Sequence, residues 1–106
     1  MRQVTDETFD SEVLASPGPV LVDFWAPWCK PCDAIEPHLR AIHEQAGGRL
    51  GLVRVNVDES LRTSSRYGVL SLPTVILFVD GEPRERIVGA RGRRHFERVL
   101  SPYVSA

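Results

Sequence analysis

The only two cysteines of the chain, Cys29 and Cys32, stand three positions apart. They lie where an apolar, strand-like run gives way to a helix-like run. At the first turn of a helix, two thiols with this spacing approach closely enough to form a disulfide. A Cys-x-x-Cys beside a βαβ pattern, in a chain that opens without a secretory signal, indicates redox chemistry first.

The position of the pair favours a different task for each sulfur. At a helix start, unpaired backbone N–H groups and the positive end of the helix dipole stabilise a thiolate, which favours Cys29 as the attacking thiol. Cys32 lies about one turn further on, on the inward side of the helix. That placement suits a resolving thiol, which attacks the mixed disulfide once it has formed.

Two other interpretations of the pair are unreactive buried thiols and half of a zinc site. A structural zinc site usually needs four Cys or His ligands, and the remaining candidates are His38, His43 and His95. His38 and His43 would project about 140° apart around a helix, which is poor geometry for shared coordination. We therefore expect no metal site.

Asp23 is a carboxylate in the middle of the otherwise apolar run Val20–Trp25. Burying an ionised carboxylate is unfavourable, so desolvation should raise the pKa of Asp23. An acid with a pKa near neutrality, just behind the cysteines, can accept the proton of Cys32 as that thiol attacks. The alternative is a structural carboxylate that accepts hydrogen bonds from backbone donors.

Two elements must position these groups. The run Val20–Trp25 is apolar on both alternating faces apart from Asp23, which is typical of a central strand covered by helices on each side. The next element is a helix with apolar residues three and four positions apart, which ends at Gly47-Gly48 and should be kinked by Pro37. Its inward stripe consists of Cys32, Ile35, Leu39, Ile42 and Ala46.

The remaining elements complete an α/β pattern. A short strand closing at Val4 and a helix with Phe9 and Val13 on its inward side precede the central strand. Strands are predicted over 50–57, 74–79 and 84–88, and a short helix over 61–67. A last helix is predicted from the apolar stripe of Phe96, Val99, Leu100 and Tyr103. Strand, helix, strand, helix, hairpin and helix describe a mixed sheet sandwiched between helices.

The chain resembles the thioredoxin family in three stretches and in their separation along the sequence: the run Asp23 to Cys32, Leu72-Pro73-Thr74, and Gly89-Ala90. The resemblance covers nearly all 106 residues. The resemblance implies one thioredoxin domain over 1–106, with a central mixed five-stranded sheet flanked by about four helices on both faces. It also implies a cis Leu72-Pro73 bond packed against the cysteines. It supports proton transfer by Asp23, often through a water.

The resemblance further implies a shallow apolar groove around Cys29. A groove of this kind suits exposed disulfides in flexible protein loops, which dock by strand addition against the backbone of Leu72. The expected substrate-binding residues are Trp28, Leu72, Pro73, Gly89 and Ala90.

The two residues between the cysteines, Lys30 and Pro31, are expected to tune the redox potential. Lys30 is the only lysine of the chain and stands where the family usually has glycine. Its positive charge should stabilise the Cys29 thiolate and make the disulfide more oxidising, with partial opposition from Asp33. A second departure is Arg54, where a lysine near the buried acid is common.

The function implied by the family is reduction of protein disulfides. Thioredoxin reductase would recycle the oxidised protein with electrons from NADPH, and no bound cofactor is expected besides the redox-active disulfide. The chain has no dinucleotide fingerprint of its own. Alternatives are a thiol oxidase or disulfide isomerase, which Lys30 would favour, and a non-catalytic protein-binding subunit of a larger assembly.

Composition narrows the class of protein. The chain has 42% hydrophobic and 25% charged residues, as in globular proteins. Its formal net charge of −1 argues against a general nucleic-acid binder. No apolar run approaches the roughly 20 residues of a membrane span. We expect a cytoplasmic monomer that binds neither nucleic acid nor membrane.

Overall fold

The structure is a computed structural model that describes residues 1–104. Its centre is a five-stranded mixed sheet with the spatial order β1-β3-β2-β4-β5. Strand β2 pairs in parallel with β3 and antiparallel with β4, while β1 joins β3 in parallel and β5 joins β4 antiparallel. The strands are β1 Arg2–Gln3, β2 Pro19–Trp25, β3 Gly51–Asn56, β4 Thr74–Val79 and β5 Glu82–Val88.

Helices cover both faces of this sheet, which confirms the predicted architecture. They are α1 Lys30–Ala46, α2 Leu61–Arg66 and α3 Arg93–Val104. On one face, Leu21 of β2 packs with Leu39 of α1 and Phe96 of α3. On the other face, Phe24 and Phe78 pack with residues from the segment that precedes β2. Strand β2 is therefore buried on both sides, as its apolar sequence predicts. In the part of the chain that the structure describes, no helix is long and apolar enough to cross a bilayer.

The segment before β2 differs from the expected α-helix. Residues Asp10–Leu14 form a π-helical turn, in which the N–H of Ala15 donates to the carbonyl of Asp10 at 2.9 Å. Phe9 and Val13 still face inward and are buried, as predicted. The wider turn ends just before Ser16-Pro17-Gly18, where proline prevents the helix from continuing.

Local chemistry explains where α1 begins and ends. Cys29 is its N-cap, with extended backbone angles, and Pro31 lies in the first turn, where its missing N–H costs no helical hydrogen bond. Gly47 ends the helix in the left-handed conformation at φ 57°. Pro37 lies inside α1, and the helix continues past it to Ala46. The cysteine pair thus stands where the central strand meets the N-terminus of the longest helix.

Candidate active site

Cys29 and Cys32 form a disulfide at the N-terminus of α1, with their Cα atoms 5.4 Å apart. The backbone N–H of Cys32 donates to Sγ of Cys29 at 3.3 Å. This is the N-cap interaction that an orphan helix N–H makes with a side-chain acceptor. In the reduced protein, the same donor and the helix dipole would stabilise negative charge on Cys29.

Both cysteines lie below the surface, since Cys29 is 4% and Cys32 is 2% exposed. They form a small apolar cluster with Ala26, against which the side chain of Leu72 packs. Burial therefore does not distinguish the two sulfurs. The N-cap position does, because it gives a stabilising donor to Cys29.

A loop with a cis proline lies against the disulfide. The Leu72-Pro73 bond is cis, as the family resemblance implied. The carbonyl of Pro73 accepts a hydrogen bond of 2.9 Å from the N–H of Gly89, which has φ 96°, a backbone region that favours glycine. This bond joins the two predicted groove segments, and Leu72 of the first segment packs against the cysteine cluster.

The other two predicted groove residues lie at the surface. Trp28, directly before Cys29, is 67% exposed, and Ala90, directly after Gly89, is also exposed. The indole N–H of Trp28 donates to Oδ2 of Asp58 at 2.9 Å. This bond fixes the large aromatic ring next to the cysteine pair. The sequence did not indicate Asp58, which follows β3 and is 30 residues away.

Asp23 is 1% exposed on β2, on the face that carries α1. Neither of its carboxylate oxygens has a hydrogen-bond partner among the described residues 1–104. The backbone donors that the structural alternative requires are therefore not found among these residues. Burial raises the pKa of Asp23 from 3.8 to about 7, while the nearby charge of Arg54 lowers it and that of Glu36 raises it further.

Arg54 stands opposite Asp23 in the parallel pairing of β2 and β3. Its guanidinium carbon lies 3.7 Å from the ring centroid of Trp25, a cation–π contact. Its Nη1 is 4.0 Å from Oε2 of Glu36 on α1. The sequence indicated Arg54 only as a departure from the family, and Glu36 was missed. The available signal was that Glu36 lies four residues after Cys32, and hence on the same side of the helix.

Lys30 and Pro31 are both exposed on the first turn of α1. Asp33, the expected counter-charge, is also exposed, and within residues 1–104 no salt bridge to Lys30 is found. The histidines considered as zinc ligands are not gathered at the cysteines. His43, for example, hydrogen-bonds the carbonyl of Leu50 at 2.7 Å. Among the described residues, no group of three or more His, Cys, Asp or Glu side chains is arranged to hold a metal ion.

This combination of a disulfide at a helix N-terminus, an opposing cis-proline loop and a buried acid on the preceding strand defines a class of protein: the thiol–disulfide oxidoreductases that exchange a dithiol for a disulfide.

Comparison with known proteins identifies the family within this class. The family model described as Thioredoxin matches residues 1–101. The chain is 48% identical over 91 residues to "Thioredoxin" of Streptomyces clavuligerus, covering 86% of this chain and 84% of that protein. It is 43% identical over 102 residues to "Thioredoxin 1" of Nostoc sp., covering 96% and 95%. It is 47% identical over 90 residues to "Thioredoxin M2, chloroplastic" of Arabidopsis thaliana, covering 85% of this chain and 48% of that protein.

The chain belongs to the thioredoxin family. It is a thiol–disulfide oxidoreductase with protein-disulfide reductase activity, and its redox centre is the Cys29–Cys32 pair.

Proposed function

We propose that Cys29 is the nucleophile and Cys32 the resolving thiol in the reduction of protein disulfides. The Cys29 thiolate attacks one sulfur of the substrate disulfide, forming a mixed disulfide and releasing the other substrate sulfur. Cys32 then attacks Sγ of Cys29, which forms the Cys29–Cys32 disulfide and releases the second substrate thiol. Two electrons pass to the substrate, and the N-cap position of Cys29 is the observation that supports this order of attack.

Asp23 is the proton acceptor of the second step in this proposal. A thiol attacks only after it loses its proton, and Cys32 lies on the face of α1 that packs over the strand of Asp23. A buried carboxylate without hydrogen-bond donors is a stronger base than an ordinary one, because neither water nor a donor stabilises its charge. A pKa of about 7 lets Asp23 accept a proton at neutral pH and release it afterwards.

The groove of Trp28, Leu72, Pro73, Gly89 and Ala90 is proposed to bind the substrate segment. The exposed indole of Trp28 offers apolar contact area beside Cys29, and the apolar side chain of Leu72 lies against the cysteine cluster. The backbone of a flexible loop that carries a disulfide can pair with the backbone of Leu72, which brings one sulfur of the loop into contact with Cys29.

Lys30 and Pro31 are proposed to tune the redox potential. Lys30 places a positive charge on the first turn of α1, next to Cys29, and this favours the thiolate over the thiol. We expect the thiolate of Cys29 to persist to lower pH in the wild type than in Lys30→Gly, as measured by the pH dependence of its alkylation rate. Equal titration curves for the two proteins would refute the effect.

The cellular setting is proposed from the family. Its members generally interact with thioredoxin reductase and with disulfide-bearing proteins. We propose that this chain is recycled by such a reductase with electrons from NADPH, and that it works as a cytoplasmic monomer and a single domain over 1–106. Bacterial relatives support the cytoplasm, although one relative is named as chloroplastic.

Trapping of the mixed disulfide tests the order of attack. We expect Cys32→Ser to accumulate a covalent adduct with disulfide-bonded insulin, because Cys29 attacks an insulin disulfide and releases the other insulin sulfur as a thiolate, while the resolving thiol is missing. The matched variant Cys29→Ser should form no such adduct and should not reduce insulin. An adduct through Cys32 in Cys29→Ser, with none through Cys29 in Cys32→Ser, would reverse the assignment.

The direction of electron flow separates a reductase from an oxidase or isomerase. Equilibration of the protein with glutathione buffers of known ratio measures the fraction of Cys29–Cys32 in the disulfide form. We expect the pair to remain oxidised in buffers that reduce an oxidase-type disulfide. Reduction under mild buffers would instead support the oxidase alternative.

A further inference from the structure

Glu36 of α1 connects the surface with the buried charges behind the cysteines. Its Oε1 accepts hydrogen bonds from Nε and Nη2 of Arg40 at 3.0 and 2.9 Å, on the solvent side. Its Oε2 is 4.0 Å from Nη1 of Arg54, on the inner side. The side chain of Glu36 is 25% exposed and that of Arg54 is 15% exposed. Glu36 thus contacts Arg40 on the solvent side and Arg54 on the inner side.

Arg54 has two anions within its reach but pairs with only one of them. It lies beside Asp23 in the sheet, yet neither oxygen of Asp23 accepts a hydrogen bond from any described residue. Its guanidinium instead stacks on Trp25 and points one nitrogen toward Glu36. The buried Nε of Arg54 has no partner among residues 1–104. An arginine with an unused buried donor could pair with Asp23 if its other contacts were removed.

Among residues 1–104, the charges that act on Asp23 come from two elements. Strand β3 contributes Arg54, and α1 contributes Glu36 and, in the reduced protein, the thiol of Cys32. Strand β4 places the apolar Val75 opposite Asp23. Helix α3 adds apolar side chains to the core on this face, among them Phe96 and Leu100. Hence one cation and one other anion control the charge state of Asp23, apart from its burial.

We propose that Glu36 is a positioning residue for the resolving step: it engages Arg54 and so prevents Arg54 from neutralising the proton acceptor Asp23. The proposal rests on the proton-acceptor role of Asp23 proposed above. In this step the proton moves from Sγ of Cys32 to an oxygen of Asp23, while Sγ of Cys32 bonds to Sγ of Cys29 and the substrate sulfur leaves as a thiolate. A carboxylate paired with Arg54 would be a weaker base for that proton.

The test variant is Glu36→Gln, which keeps the shape of the side chain and removes its charge. Asp23 can be titrated directly in the reduced protein from the NMR shift of its carboxyl carbon. We expect its midpoint to move to lower pH by roughly one unit, because Arg54 loses its anionic partner and Asp23 loses a neighbouring negative charge. The matched control is Glu44→Gln, an exposed glutamate on the same helix, which should leave the midpoint in place.

A kinetic measurement on the same variants reads out the resolving step. Dithionitrobenzoate releases one coloured thiolate when Cys29 attacks it and a second when Cys32 resolves the mixed disulfide. We expect the pH dependence of the second release to move to lower pH in Glu36→Gln by the same amount as the midpoint of Asp23. Glu36→Asp, which keeps the charge, should restore part of the wild-type profile.

An Asp23 midpoint that does not fall in Glu36→Gln overturns the proposal. So does a midpoint that falls while the second release keeps its wild-type pH profile. In that second case, the profile of Asp23→Asn locates the failure. If it too is unchanged, the proton-acceptor role of Asp23 has failed; if it is altered, only the role of Glu36 has failed.

Discussion

Two aspartates, the half-buried Asp6 and the fully buried Asp23, lie in opposite electrostatic environments. Asp6, in the segment after β1, accepts hydrogen bonds from the backbone N–H and the hydroxyl of Thr63 at 2.8 and 2.6 Å, and from the N–H of Arg62 at 3.2 Å. Asp23 accepts none within the described chain. Burial would raise the pKa of both, but the donors from α2 outweigh it at Asp6, and the pKa of Asp6 ends below its ordinary value.

The contrast shows that hydrogen-bond donors distinguish a carboxylate that stabilises the fold from one that can exchange a proton. At Asp6, the ionised form is stabilised by the start of α2, so this residue joins two elements and has little reason to change its charge. At Asp23, no hydrogen bond supports the ionised form. The carboxyl group therefore gains or loses its proton near neutral pH, and its ionisation lowers the stability of the folded protein. A residue that destabilises the fold beside the redox centre is a candidate for function.

The largest effect expected from this contrast is the stabilisation of the oxidised protein by Asp23→Asn at alkaline pH. Because the pKa of Asp23 is raised from 3.8 to about 7 in the folded state, the protein loses stability as pH rises between these values. The loss should reach about 4 kcal/mol. In Asp23→Asn it should be absent, since the amide does not titrate.

Urea unfolding at pH 4 and pH 8 measures this difference. The free energy of unfolding of Asp23→Asn should exceed that of the wild type by far more at pH 8 than at pH 4. The exposed Asp33→Asn on α1 serves as the control and should follow the wild type. An equal difference at both pH values would show that Asp23 is ionised without penalty.

The second effect is the opposite response of Asp6→Ala. Loss of this carboxylate leaves the N–H of Thr63 without its acceptor, so we expect a destabilisation of about 2 kcal/mol at pH 7. Because folding lowers the pKa of Asp6, its ionised carboxylate stabilises the folded protein at pH values above the pKa of the unfolded chain. This stabilisation is lost as the pH falls through the pKa of the folded protein, so the difference in stability between Asp6→Ala and the wild type should shrink in strong acid. Urea unfolding of Asp6→Ala and of Glu7→Ala, an exposed neighbour, provides the measurement and its control.

Insulin reduction by folded Asp6→Ala should match that of the wild type, because Asp6 does not contact the redox centre in our proposal. A stability change that is independent of pH, or a loss of activity in the folded variant, would contradict the structural role of Asp6.

The smallest effect expected is that of Thr63→Val. This change removes the hydroxyl that donates to Asp6 but keeps the backbone donor and the branched shape. We expect a loss of about 1 kcal/mol, less than in Asp6→Ala. Ser65→Ala, an exposed change on α2, is the matched control for thermal unfolding. If Thr63→Val were as destabilising as Asp6→Ala, the hydroxyl rather than the helix start would be the main partner of Asp6.

The fold was largely predictable because its signals are local. The uniform apolar run of β2, the three-and-four spacing along α1 and the glycine at its end are contained in short windows of sequence. Strand β4 begins and ends where the pattern predicted. Cys29, Cys32 and Asp23 could be singled out as candidates for the same reason, since a pair of cysteines and a charge in an apolar run stand out without knowledge of their neighbours.

What the sequence did not reveal depends on contacts between distant residues. The partner of Asp6, Thr63, is 57 residues away in sequence and is brought near only by folding. The contact of Glu36 with Arg54 likewise requires α1 to lie over β3. The π-helical turn at Asp10–Leu14 was missed because Phe9 and Val13 satisfy the spacing of an ordinary helix equally well.

The most direct test of Asp23 is the pH dependence of the resolving step in the wild type and in Asp23→Asn. It can be followed by the second thiolate released from dithionitrobenzoate, with the first release as an internal control for Cys29. We predict that the wild-type rate rises through a limb near pH 7 and that this limb is absent in Asp23→Asn, where release is slower at neutral pH. Superimposable profiles for the two proteins would contradict the proposal that the buried carboxylate takes the proton of Cys32.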